Sequence, residues 1–154
     1  MRNRILKLAT IAVALSLCIG IGRSSAQQSK TADHPASAPD QETPPYHKSA
    51  KDAQPLPRTL PPSQFSNPMV AEAYEIAGEI PDVLAQQPCY CHCDKEFGHG
   101  SLLDCFTSTH TAGCGICMAE TFYAYQMAKQ GKTAEEIRQG IVRGDWKKAA
   151  ATHN

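Results

Sequence analysis

Apolar positions fall at helical spacing in three stretches of the second half of the chain. Met69, Ala73, Ile76 and Ile80 share one face of a 3.6-residue repeat. Asn67-Pro68 directly precedes them and forms a helix start, an N-cap residue with proline at the first helical position. Pro81 interrupts that helix, because the residue before proline avoids the α region. The four residues 81–84 predict a short helical restart, which Pro88 stops. Residues 88–113 show no sustained period and contain Gly98, Gly100 and Gly113, which predicts an irregular loop with one helical turn over 101–106. A long helix is expected over 115–130, with Ile116, Ala119, Tyr123 and Met127 on its apolar face and Gly131 as its stop. Thr133 then caps a further helix, with Glu136 in the capping-box position, Ile137 and Ile141 facing inward and Gly144 closing it. The short connection predicts that the last two helices form an antiparallel hairpin. No strand pattern and no internal repeat is present.

The first 64 residues read differently. Arg2, Arg4 and Lys7 precede an apolar run over 8–21, about the length of a signal-peptide core and short of the ~20 residues that span a bilayer. Ser24-Ser25-Ala26 supplies small residues for cleavage after Ala26. The expectation is an exported protein, periplasmic or extracellular, with a signal peptide over 1–26. Membrane attachment would require that segment to stay uncleaved, or Cys18 to be lipidated; Leu17 stands where a lipobox needs a small residue. Residues 27–64 hold eight prolines and few large apolar side chains, which predicts a disordered Pro-rich linker. His34 and His47 lie in it and read as solvated. The folded part is expected over 65–148, with 149–154 as a tail.

Charge excludes one class of function. The precursor is neutral, but four of its 15 basic residues and none of its acids lie in the first 26 positions. The remainder therefore carries 11 basic and 15 acidic residues, a net charge of −4. With no basic stripe and no interleaved aromatics, nucleic acid is not a predicted partner. No Ser-His-Asp pattern, phosphate loop or dinucleotide fingerprint is present either.

The candidate chemistry is in the cysteines. Cys89, Cys91, Cys93, Cys105, Cys114 and Cys117 fall within 29 residues. A disulfide across one intervening residue is strained, so the Cys-x-Cys-x-Cys run either shares an ion or pairs with distant cysteines. Cys114-x-x-Cys117 has the spacing of a zinc knuckle and sits at a predicted helix N-terminus, where the dipole favours thiolate. Three readings stay open: a soft-metal site for Cu(I) or Zn(II), three structural disulfides, and a redox dithiol with Cys114 attacking and Cys117 resolving. His99, between two glycines, and His110 are candidate supplementary ligands. His92, between two cysteines, reads as solvent-facing, and Tyr90, Tyr123, Tyr125, Met118 and Met127 as packing groups. Asp104 and Glu120 form no diagnostic carboxylate pair.

These residues also carry a family resemblance. The run Ala73-Tyr74-Glu75-Ile76-Ala77, then Ile80-Pro81-Asp82-Val83-Leu84, then Pro88-Cys89-Tyr90-Cys91-His92-Cys93 resembles the bacterial PCYCGC-motif proteins, also called the CYCXC (seleno)protein family. Gly98 to Phe106, His110 with Cys114-Gly115-Ile116-Cys117, and the closing helix pair are similar to its later blocks. His92 stands where the naming motif has glycine. The resemblance implies an exported or lipid-anchored bacterial protein. Its selenoprotein members imply redox chemistry or soft-metal handling rather than passive disulfides.

Together these readings predict a small, mainly α, cysteine-rich domain. It comprises an N-terminal helix, an irregular cysteine loop and a C-terminal helical hairpin. The leading function is binding of Cu(I) or Zn(II) by Cys89, Cys91, Cys93, Cys105, Cys114, Cys117 and His99. Its partners would be the metal ion itself and a redox or metal-transfer protein. The alternative is thiol-disulfide exchange or electron transfer at Cys114 and Cys117.

Overall fold

Helices and 3-10 turns make up all the regular structure among the described residues of the computed structural model, which are 42–150. The expected signal segment with Cys18, the first part of the expected linker with His34, and residues 151–154 lie outside them. Six α-helices follow in order: α1 Pro68–Glu79, α2 Pro81–Leu84, α3 Asp94–Phe97, α4 Gly115–Lys129, α5 Ala134–Arg143 and α6 Trp146–Ala150. The small, mainly α, cysteine-rich architecture is the one the sequence predicts.

Local chemistry sets the boundaries. The Asn67 side chain accepts hydrogen bonds from the Met69 and Val70 N–H groups and so caps α1. Thr133 and Glu136 form the reciprocal capping box at the start of α5. Gly144, at φ 80°, ends α5 in the left-handed region, and the Asp145 N–H then donates back to the Gly140 carbonyl. That turn sends the chain into α6, which the sequence pattern does not announce. Trp146 is buried there and α6 packs on α4.

Helix α4 is the centre of the domain, in contact with α1, α2, α5 and α6. Its burial is wider than one stripe: Cys117, Ala119, Glu120, Thr121, Phe122, Tyr123 and Ala124 are all buried, because neighbours cover it on several sides. Gly140 on α5 lets the two helices approach closely, since a side chain there would meet the Tyr123 ring. The apolar face of α1 is also rotated from the expected one. Val70, Ala73, Tyr74, Ile76 and Ala77 are buried, whereas Met69 is exposed. Tyr74 explains the rotation: its ring stacks on Phe65 and meets Phe106 edge-on, and its hydroxyl donates to the Ser108 carbonyl at 2.6 Å.

The described part of the expected linker, 42–64, is packed against the domain rather than loose. Ala53 is buried, and Leu56 and Leu60 lie against the core. The His47 N–H donates to the Ala85 carbonyl, and the Leu60 N–H to the Phe106 carbonyl. Proline restricts the unfolded chain, so each ordered residue here costs less entropy, and a few apolar contacts suffice to hold it.

Candidate metal centre

Three structural devices bring the cysteines together. The first is Gln87, fully buried before Pro88-Cys89. Its side-chain amide donates to the Val83 and Ala134 carbonyls, and its own carbonyl accepts the Leu102 N–H. This ties α2, α5 and the 3-10 turn Leu102–Phe106 to the start of the cysteine run. The second is a reversal at His92, whose φ is 57°. A tight turn from Cys89 to His92 precedes it, and α3 follows, so Cys89, Cys91 and Cys93 face one centre. The third is Asp104, whose carboxylate accepts the Gly100 and Ser101 N–H groups at 2.7 and 3.0 Å. That closes the loop holding His99 and places Cys105 on its 3-10 turn.

The result is one continuous cluster rather than isolated pairs. Cys89 lies 3.3 Å from Cys91 and 3.5 Å from Cys117, sulfur to sulfur. Cys117 lies 3.5 Å from Cys91 and 3.1 Å from Cys114. Cys93 lies 3.2 Å from Cys105, and His99 Nδ1 stands 3.1 and 3.3 Å from those two sulfurs. His110 Nε2 approaches Cys91 at 3.9 Å. All six cysteines are free thiols, and no disulfide joins them. Two overlapping groups have their donor atoms within 4.8 Å of one another: Cys89, Cys91, Cys93 and Cys105, and Cys91, Cys105, His110 and Cys117. Tetrahedral thiolates on a metal at ~2.3 Å stand about 3.8 Å apart, so either group can hold an ion.

The electrostatics are those of crowded thiols. Hydrogen bonds with Cys105, then Cys114, Cys117 and Cys89, hold the Cys91 thiol well below its usual range. The cost appears on its neighbours. Cys117 is pushed up by Cys105 and Cys114. Cys89 is also pushed up: its contact with Cys105 favours the thiolate, but Cys117, Cys91, Cys93 and burial outweigh it. Burial lowers the His99 pKa, against the opposing pull of Asp104 and Cys91, which favours the neutral imidazole that a metal takes.

All seven predicted site residues meet here, and His110 joins them. His92 does not, because its ring turns toward Tyr90. The residue that sequence reasoning passed over is Glu120. It lies one turn after Cys117 on α4, is fully buried, and accepts the Tyr90 N–H at 2.9 Å. It thereby fastens the cysteine run to α4. Burial pushes its carboxyl up to about 8, against the opposing pull of the Tyr90 N–H and the Cys89 thiol. The available signal was its position, a lone acid three residues after Cys117 and between Ala119 and Tyr123 on the predicted buried face.

The fold and the site define a small helical protein built around a thiol-rich cluster. The family model described as "Protein of unknown function with PCYCGC motif" matches residues 8–152, and the chain belongs to that family. No curated protein and no solved structure matches it. The left-handed turn at His92 gives a physical reason for glycine in the family's naming motif, since glycine takes positive φ without a Cβ clash.

Two predictions follow from this geometry. His92→Gly should raise the stability of the reduced, metal-free protein by roughly 0.5–1 kcal/mol in urea unfolding. An equal loss would mean that the imbalance at φ 57° is outweighed by contacts of the ring. Glu120 keeps its proton when folded and releases it when unfolded between about 4.5 and about 8, so stability falls as pH rises through that window. Glu120→Gln retains an acceptor for the Tyr90 N–H and removes the titration. Its stability should fall less steeply with pH, by a few kcal/mol across the window; parallel curves for the two proteins would contradict this.

Proposed function

We propose that this protein binds a soft d10 metal ion, Cu(I) or Zn(II), outside the cytoplasm, in order to capture, buffer or transfer it. One observation carries the reading: five of the six sulfurs fall into two overlapping donor sets, with Cys114 beside Cys117 and two imidazoles at the edge, instead of separating into three isolated pairs. Thiolate-rich donor sets select soft cations. Cys89, Cys91, Cys93, Cys105, Cys114 and Cys117 are the thiolate ligands in this reading, with His99 as a further ligand. Burial of Cys93 and Cys105 excludes water and oxidants from a loaded site. Among the described residues, no helix is long and apolar enough to cross a membrane.

A second reading has its own support. Cys114 is the N-cap residue of α4 and is half-buried, and its sulfur lies 3.1 Å from that of Cys117. A helix N-terminus favours thiolate, which suits an attacking cysteine in thiol-disulfide exchange. Here, however, the Cys117 contact, which also favours thiolate, is outweighed by Cys91 and burial, which push the Cys114 thiol up.

Anaerobic titration of the reduced protein with Zn(II) and with Cu(I) separates the two. The metal reading predicts binding tighter than micromolar and loss of thiol reactivity on loading. Cys105→Ser should weaken binding by more than the 10–100-fold typical of outer-shell changes. Failure to bind either ion, together with reversible oxidation of Cys114 and Cys117 alone, would replace it with the redox reading.

A further inference from the structure

The cluster has more donors than one ion can use. A four-coordinate ion takes four of them, whereas six sulfurs and two imidazole nitrogens are gathered here. The donors divide. Cys89, Cys91, Cys93 and Cys105 form one complete tetrad, and Cys91, Cys105, His110 and Cys117 form another. Cys91 and Cys105 belong to both. Two thiolates shared between two tetrads are the arrangement of a bridged pair of ions, because a thiolate sulfur has lone pairs enough to bind two soft cations.

The two tetrads are unequal in access. In the first, Cys89 and Cys93 are each 4% exposed and Cys105 is fully buried. Pro44 and Pro45 lie over Cys89, Cys93 and His99, and the space between holds no water-sized volume. Cys91, shared by both, is half-buried. In the second tetrad Cys105 and Cys117 are fully buried but His110 is half-buried, and Cys114, also half-buried, stands 3.1 Å from Cys117 outside the tetrad. A free thiol beside a complete donor set is placed to take up an ion as another ligand lets go.

From this geometry, and resting on the metal-binding reading above, we propose that the cluster holds two ions bridged by Cys91 and Cys105: an inner ion locked beneath Pro44-Pro45, and an outer ion that exchanges with a thiolate-bearing acceptor by way of Cys114. Exchange is associative. The Cys114 thiolate replaces His110 or Cys117 on the outer ion, an acceptor thiolate then replaces Cys114, and further acceptor thiolates replace the remaining protein ligands one at a time until the ion leaves. Each step forms one metal–sulfur bond and breaks one metal–ligand bond, with no change in oxidation state. A ligand released as thiolate takes a proton from solvent. The further donors beside the inner tetrad are His99, an imidazole 3.1 and 3.3 Å from Cys93 and Cys105, and Cys117, which belongs to the outer set; a free thiol like Cys114 is not among them.

The test uses the full reduced protein, loaded with Zn(II) under anaerobic conditions and weighed by native mass spectrometry. Removal of zinc by the chelator 4-(2-pyridylazo)resorcinol is followed in time. Two ions per chain are expected, leaving in two phases of equal amplitude whose rates differ by tenfold or more. Cys114→Ser should slow the fast phase at least several-fold and leave the slow phase, the inner ion, unchanged. Cys105→Ser, which removes a bridge, should hold no more than one ion. A single bound ion, three or more, or two ions released in one phase would overturn the two-site inference while leaving metal binding intact. A fast phase unchanged in Cys114→Ser would remove the exchange route. No bound zinc at all would defeat the underlying reading instead.

Discussion

Six sulfurs held 3.1–3.5 Å from their neighbours cannot all carry charge without a cation among them. Two thiolates at about 3.3 Å repel by roughly 5 kcal/mol at an effective dielectric constant near 20. Without an ion, the cluster therefore concentrates its first negative charge on one sulfur. Cys91 is the sulfur whose surroundings favour that charge, since its neighbours push its thiol pKa down while those of Cys89, Cys105, Cys114 and Cys117 are pushed up. A soft cation reverses this balance, because each thiolate it gathers is attracted to it more strongly than repelled by the rest. Metal binding and proton release are coupled in such a site.

The surrounding fold reads as the means of holding that crowded arrangement. Helix α4 presents Cys117 from its first turns and Glu120 one turn later, and Glu120 fixes the Tyr90 N–H within the cysteine run. Gln87 anchors the start of the run to α2 and α5, and Asp104 shapes the loop that delivers His99 and Cys105. Glu120 and Gln87 are buried and Asp104 is half-buried, and each satisfies backbone groups that an irregular loop would otherwise leave unpaired. An irregular backbone can be buried here because these side chains replace the ladder hydrogen bonds it lacks. Ring contacts among Phe97, His99 and His110 close the edge of the cluster.

Much of this was legible along the chain. Asn67-Pro68, Thr133 with Glu136, and Gly144 mark helix ends through local hydrogen bonds and backbone freedom, which depend on a few adjacent residues. The two cysteine halves were visible from spacing alone. What escaped depends on contacts distant in sequence. Pro44, Ala53 and Leu60 gain their places only once the domain surface exists. The rotation of α1 follows from Tyr74 meeting Phe65 and Phe106. Glu120 is acidic, and periodicity weighs an acid as exposed, so its burial is set by the partner 30 residues earlier. His110 approaches Cys91 only through the fold of the loop between them.

The central claim is that the two halves of the cysteine cluster are joined by metal and not by sulfur–sulfur bonds. Its most direct test is the intact mass of protein isolated anaerobically from its native compartment, measured under native and then denaturing conditions. Bound Cu or Zn is expected in the first spectrum and six free thiols in the second. A metal-free mass, lower by six hydrogens because three disulfides have formed, would contradict it.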